Sequence, residues 1–147
     1  MLEVTTREGG ALRAAPRFRG EDVAGILSEA GAARGLPARL SVDNGTEFTS
    51  KALDRWAYWN RVELDFSRPG KPTDNAFIEA FNGTLRRECL SQHWFLSLEE
   101  TQHTLEAWRE DYNNQRPHSS LAGLPPVTFR VGGYFTPDRN RLQLLRV

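Results

Sequence analysis

Apolar and polar positions repeat along this chain with two different periods, and the changes of period mark its elements. Residues 20–33 place Val23, Ile26, Leu27 and Ala30 at i, i+3, i+4 and i+7, which predicts a helix with one buried face. Gly35-Leu36-Pro37 stops it and leads into a strand over Arg39 to Val42. Ser50 suits the N-cap of a second helix that reaches about Asn60 and buries Leu53, Trp56 and Ala57. From Arg61 to Phe66, Val62, Leu64 and Phe66 alternate with charged residues, as in a half-buried strand. A third helix starts near Thr73 or Asp74. Phe77, Phe81, Leu85 and Cys89 repeat along it at i+4, with Ile78 beside them. Ser97-Leu98-Glu99-Glu100 forms a capping box for a fourth helix, whose buried side carries Leu98, Leu105, Trp108 and Tyr112. Trp94, Phe95 and Leu96, just before it, read as a hydrophobic clasp. The order αβαβα predicts parallel strands joined by helices.

The two ends of the chain are less patterned. Leu2 to Thr6 reads as a short strand and Gly9-Gly10 as a turn. From Val131 onward no period holds over a useful length, so the tail is expected to be loosely ordered. There is no internal repeat and no second domain.

Composition changes this picture little. At 147 residues, with 39% apolar and 26% charged residues, the chain suits one globular domain with a real core. The formal net charge is zero, which gives no overall electrostatic support for nucleic-acid binding. The distribution is uneven, however. Ser97 to Tyr112 holds five acids against Arg109 alone, whereas beyond Asn113 five arginines face only Asp138. Cys89 is the only cysteine, so it reads as a small core residue and forms no intrachain disulfide. With His93, His103 and His118 it gives no zinc spacing. No apolar run approaches a membrane span and no leader pattern opens the chain, which makes the cytoplasm the expected location.

The candidate chemistry lies between Val42 and Arg87. Asp43 closes the apolar run Leu40-Ser41-Val42 and is followed at once by Asn44-Gly45, which places it where a strand enters a tight turn. Glu79 lies on the third helix. Asn75, Glu79, Asn82 and Arg86 follow at spacings of four, three and four, so they share a face distinct from the apolar stripe. Each feature alone is ordinary: Asp-Asn-Gly is a turn signal, and a glutamate on an amphipathic helix is usually solvated. Together, two carboxylates on a strand end and a neighbouring helix offer the hard oxygen ligands that Mg²⁺ prefers. Cations cluster nearby at Arg68, Lys71, Arg86 and Arg87.

Asp43, the gap of thirty-five residues to Glu79, and the runs DNGTEF and NAFIEAFNGTLRREC resemble the second half of a DDE transposase core. Tyr112-Asn113 and Arg116-Pro117-His118 match the YNxxRPH signature that closes this core in bacterial insertion-sequence transposases with a retroviral-integrase-like catalytic fold. The resemblance implies an α/β, RNase H-like fold, truncated to the second half of the integrase core. It covers residues 18–130 and leaves residues 1–17 and 131–147 unmatched. It further implies that Asp43 and Glu79 are catalytic and bind Mg²⁺ or Mn²⁺, with DNA contacts from Lys71, Asn75, Asn82 and Arg86. The implied partners are transposon ends and target DNA, with full-length transposase or a second copy of the chain. A DNA-bound form would sit on the nucleoid.

In that family the first catalytic Asp lies on an earlier strand, and three strands precede the helix at Gly20. Sixteen residues cannot supply three strands of about five residues each with their turns. The expectation is therefore a truncated, inactive transposase copy. The alternatives are a non-catalytic fragment that binds DNA or transposase as an inhibitor, and an unstable product exposing sheet edges.

Overall fold

Four helices and two strands form where the periodicity places them, and each is closed by local chemistry. A computed structural model of the chain describes residues 1–68, 76–133 and 141–144, the side chain of Arg141 excepted. The elements are β1 (Leu2–Glu3), α1 (Gly20–Arg34), β2 (Arg39–Val42), α2 (Lys51–Asn60), β3 (Glu63–Phe66), α3 (Ala76–Glu88), α4 (Leu98–Asn114), α5 (Pro126–Val131) and β4 (Arg141–Leu144). Ser50 Oγ accepts the Leu53 N–H at 3.2 Å and starts α2 as expected. Arg61 ends it in the left-handed region, with φ of 55°.

The sheet has the order β1-β4-β2-β3. β2 and β3 run parallel, with Leu40 opposite Leu64 and Val42 opposite Phe66, as the αβαβα order predicts. β4 lies on the other side of β2, also parallel, with Leu142 opposite Leu40 and Leu144 opposite Val42. β1 adds antiparallel to β4. This corrects the expectation of a loosely ordered tail, since residues 141–144 occupy an interior position of the sheet. A four-residue alternation is too short to read in the sequence. What orders it is the free hydrogen-bonding edge of β2, which lies far away in the chain.

Apolar side chains gather on both faces of this sheet. Leu40, Val42 and Leu144 pack with Val23 and Leu27 of α1 and with Leu53, Trp56 and Ala57 of α2. On the other face Leu2 and Leu12 pack with Ile78, Phe81 and Leu85 of α3, with Cys89 just beyond it, and with Leu105 and Tyr112 of α4. α1 and α2 come close because Gly20 has no side chain: a Cβ there would meet Ser50 Oγ at 1.8 Å. Trp56 Nε1 also donates to Ser28 Oγ at 2.9 Å between the two helices.

Four predicted burials fail. Trp94 and Leu96 are 94% and 92% exposed and form no clasp, and Leu98 is 49% exposed. The capping box is made with a shifted partner. Ser97 Oγ accepts the Glu100 N–H, but Glu100 Oε2 accepts the N–H of Leu96 rather than that of Ser97. The chain entering α4 is thus fixed by polar contacts, which leave the neighbouring apolar side chains outside. Phe77, expected on the buried stripe, is 45% exposed.

Two buried amides join distant parts of the fold. Asn113 is 2% exposed. Its Oδ1 accepts the Gly9 N–H, and its Nδ2 donates to the Gly9 carbonyl, each at 2.8 Å. Gln143 of β4 is equally buried and accepts the Ile78 N–H at 3.0 Å, satisfying a free donor in the first turn of α3. Asn113→Ala would leave the Gly9 N–H unpaired and its carbonyl with only the longer Arg109 contact at 3.4 Å, and is expected to cost about 2 kcal/mol, seen as a lower Tm. Gln143→Ala is expected to speed hydrogen exchange of the Ile78 amide and to weaken the start of α3. An Ile78 exchange rate unchanged from the parent chain would refute that second expectation.

Candidate functional site

Asp43 follows the last residue of β2, and the local backbone is fixed from both sides. Ser67, just beyond β3, donates its N–H and its hydroxyl to the Val42 carbonyl at 2.9 and 3.0 Å. Asn44 Nδ2 donates to the Ser67 carbonyl at 3.0 Å. Asp43 itself is half-buried, and its Oδ1 accepts the Gly45 N–H at 2.9 Å, the side-chain turn that Asp before a glycine favours. The expected strand-to-turn setting is therefore present, and the turn holds the carboxylate in one orientation.

A second carboxylate stands beside it. Glu47 is 8% exposed. A Cβ on Gly45 would lie 3.0 Å from Asp43 Oδ1 and 3.1 Å from Glu47 Oε2, so these oxygens are no more than about 6 Å apart. Gly45 thus leaves open a small space walled by two acids. Sequence reasoning passed over Glu47, although it lies in the same DNGTEF run. Its burial would have been the signal, and burial is not visible in a run of polar residues.

On α3, Glu79 and Arg86 are exposed, as the shared polar face predicts. Asn82 is not: it is 7% exposed. It lines a cavity of about 380 Å³ together with Glu47, Phe18, Leu27, Leu85 and Leu105. Its Nδ2 has no hydrogen-bond partner among the described residues. This corrects its assignment as a DNA contact, because the side chain does not reach the surface. The physical reason is the width of the buried face of α3, which spans Ile78, Phe81, Asn82 and Leu85. Lys71 and Asn75, expected as DNA contacts, lie outside the described residues, as does the predicted helix start at Thr73 or Asp74.

The wider surroundings carry charge of both signs. Ser41 Oγ donates to Asp65 Oδ2 at 3.4 Å across the β2–β3 pair. Arg87 donates to Thr84 Oγ1 at 3.2 Å and is held along α3. Glu8, 4% exposed, is clamped by Arg34 and Arg130 at 2.6 and 2.8 Å and acts as a structural ion pair. Burial pushes the Cys89 thiol up, consistent with a core role rather than a reactive one.

Two family models, both described as integrase core domain, match the chain over residues 1–72 and 60–126. The first of them includes the N-terminal segment that carried no readable motif. An uncharacterized 31.7 kDa protein of insertion element IS407 from Burkholderia multivorans is 50% identical over 79% of this chain and 42% of its own length. An uncharacterized 39.2 kDa protein of insertion element IS476 from Xanthomonas euvesicatoria is 41% identical over 92% of the chain and 39% of its own length. The chain therefore spans about two fifths of these relatives. The transposase for insertion sequence element IS904 from Lactococcus lactis is 33% identical over 61% of the chain and 36% of its own length. Among solved structures, the HTLV-2 integrase catalytic core domain in complex with magnesium aligns at a TM-score of 0.68 and 12% identity, covering 87% of this chain and 80% of that one. The catalytic core domain of BIV integrase aligns at 0.63 and 16%, covering 82% and 76%. These likenesses show the fold, which is RNase H-like. The chain belongs to the integrase core domain family, among the relatives encoded by bacterial insertion sequences.

Proposed function

We propose that this chain is a catalytic-core portion of an insertion-sequence transposase that engages DNA, with Asp43 and Glu79 as ligands for Mg²⁺ or Mn²⁺. The observation that carries the proposal is the setting of Asp43. A carboxylate at the end of β2 is turned by Gly45, beside the buried Glu47, within the same motif order that leads to Glu79 on α3. The magnesium in the aligned HTLV-2 integrase structure supports a divalent cation for this fold.

The residues present fit such an ion sparingly. Among the described residues no group of three or more His, Cys, Asp or Glu is placed to hold a metal. Few protein carboxylates are what Mg²⁺ needs when water and substrate phosphate complete its shell. A divalent ion bound there supplies activation of a water or hydroxyl and charge stabilisation of a leaving oxygen. The protein's own contribution is orientation. The Asn44 and Ser67 contacts hold the strand end, and Gln143 holds the first turn of α3, next to Glu79. Arg86, exposed on the same helix, is the proposed contact to a backbone phosphate.

Asp43 and Glu79 supply two of the three carboxylates that the resemblance implies, and on this proposal the chain binds DNA without cleaving it. Among the described residues no helix is long and apolar enough to cross a membrane, and the working location is the bacterial cytoplasm, on DNA. A second reading, docking onto full-length transposase or a second copy, is favoured by the exposure of Trp94 and Leu96 next to α4.

The test uses the purified chain with transposon-end DNA. Strand cleavage with Mg²⁺ or Mn²⁺ is expected not to exceed that of an Asp43→Asn, Glu79→Gln control. Nicking that the control abolishes would overturn the assignment as an inactive fragment. In gel shifts, binding that weakens steeply with salt is expected. Absence of any shift at low salt would overturn the DNA-binding reading.

A further inference from the structure

A second concentration of chemistry lies on the opposite flank of α3 from Glu79. Phe77, Ala80, Phe81 and Thr84 follow at i, i+3, i+4 and i+7 and form one wall of a cleft of about 520 Å³. Glu79 is two residues, about 200°, around the helix from Phe77, so it faces elsewhere. The other walls are Arg7, from the turn after β1, and Tyr112, Arg116, His118 and Ser119 from the end of α4 and the segment beyond it.

Each basic group in this cleft is held in place by the fold. Arg7 has φ of 60°, a left-handed conformation uncommon for a residue with a side chain. Its guanidinium carbon sits 3.5 Å from the centre of the Phe77 ring. The His118 ring packs edge-on against Tyr112, with centroids 4.9 Å apart. The His118 N–H donates to the Leu124 carbonyl at 3.2 Å, while its carbonyl accepts from Leu121 and Gly123. Arg116 bonds Glu88 and lies 5.8 Å from the centre of the Tyr112 ring.

Two of these groups lack partners. Arg7 Nη1 and His118 Nε2 are enclosed and have no hydrogen-bond partner among the described residues. Unpaired buried polar atoms are costly, and two in one cleft call for an explanation. The charges facing them are few. Glu3 acts on Arg7 from a distance, but its carboxylate already takes the N–H groups of Thr5 and Thr6 and the Thr6 hydroxyl. Glu88 is engaged by Arg116. Burial and the two guanidinia hold the His118 imidazole below its ordinary proton affinity. Burial pushes the Tyr112 hydroxyl up to about 12, so it stays neutral.

We propose that this cleft is a phosphate-binding site formed by Arg7, Arg116 and His118, with the Ser119 and Ser120 hydroxyls at its mouth, separate from the Asp43–Glu79 site. A phosphate group presents enough oxygens for several donors at once, more than a carboxylate does, and guanidinium forks suit it. An anion between the guanidinia removes the repulsion that now opposes a proton on His118. The phosphate belongs either to a nucleic-acid backbone or to a free phosphate compound. The site does not depend on the proposed transposase activity.

The experiment follows the His118 ring resonances of the intact chain by NMR, assigned with His118→Asn, during titration with inorganic phosphate and separately with a short DNA duplex. Saturable shifts with phosphate and a higher His118 titration midpoint in its presence are expected. Arg116→Gln and Arg7→Gln should each weaken phosphate binding about tenfold, and Arg7→Lys, which keeps the charge, should weaken it less. If Arg7→Gln fails to fold, Arg116→Gln and Arg7→Lys carry the comparison. A duplex that shifts the same resonances and is displaced by phosphate identifies the backbone as the source, whereas response to phosphate alone identifies a free compound. His118 resonances that respond to neither ligand, or binding unchanged in Arg116→Gln and Arg7→Lys, would overturn the proposal. Failure of DNA binding in gel shifts leaves the phosphate titration unaffected, so the two readings fail separately.

Discussion

The sheet depends on the backbone pairing of β4. β2 and β3 satisfy each other along one edge only, and β1 is two residues long and pairs with neither of them. β4 supplies the missing pairing in both directions, parallel to β2 and antiparallel to β1. It also works on both faces. Leu144 enters the core under α1 and α2, while Gln143, on the alternate side, caps the start of α3. Four residues thereby join the N-terminal strand to the sheet and tie the first turn of α3 to it.

A second constraint ties the N-terminal turn to α4. The Asn113 side chain behaves as a surrogate backbone: its amide presents an acceptor and a donor to the two polar groups of Gly9. Phe81, Trp108 and Tyr112 pack beside it with ring centroids 4.9 to 5.5 Å apart. The Tyr-Asn pair that reads in the sequence as part of a family signature therefore works structurally, with Tyr112 in the core and Asn113 as a clamp. Arg116 and His118 of the same signature instead point into the cleft on the far flank of α3.

Much of this was legible because the signals are local. The Val23–Leu27 and Leu53–Trp56–Ala57 spacings, the Ser50 cap and the parallel order of β2 and β3 follow from short windows of sequence. The misses share one cause, which is that burial of a short or polar segment is decided by what lies far away in the chain. Residues 141–144 become a strand because β2 has an open edge. Asn82 turns inward because α3 has a broad contact face, and Trp94 and Leu96 stay outside because Glu100 fixes the entry to α4 through a backbone N–H. At the candidate site the sequence offers Asp43 and Glu79 as candidates but not Glu47, whose burial beside Asp43 is visible only in the space that Gly45 leaves.

α3 links these observations into one arrangement. Its buried face, from Ile78 through Leu85, fixes the helix against β4 and α4, and its two free flanks are then presented in opposite directions. One flank presents Glu79 and Arg86 to solvent. The other carries Phe77 and Thr84 to the basic cleft. A rotation of α3 by one residue would move Glu79 into the core and Ile78 into solvent, at a cost of the burial of a whole aliphatic side chain, roughly 2 kcal/mol or more. The apolar stripe therefore fixes the helix's rotation, and with it the direction in which each polar group points. The Gln143 amide holds the Ile78 N–H in the helix's first turn. Neither residue set contains a catalytic group, yet together they decide where the carboxylate on α3 stands.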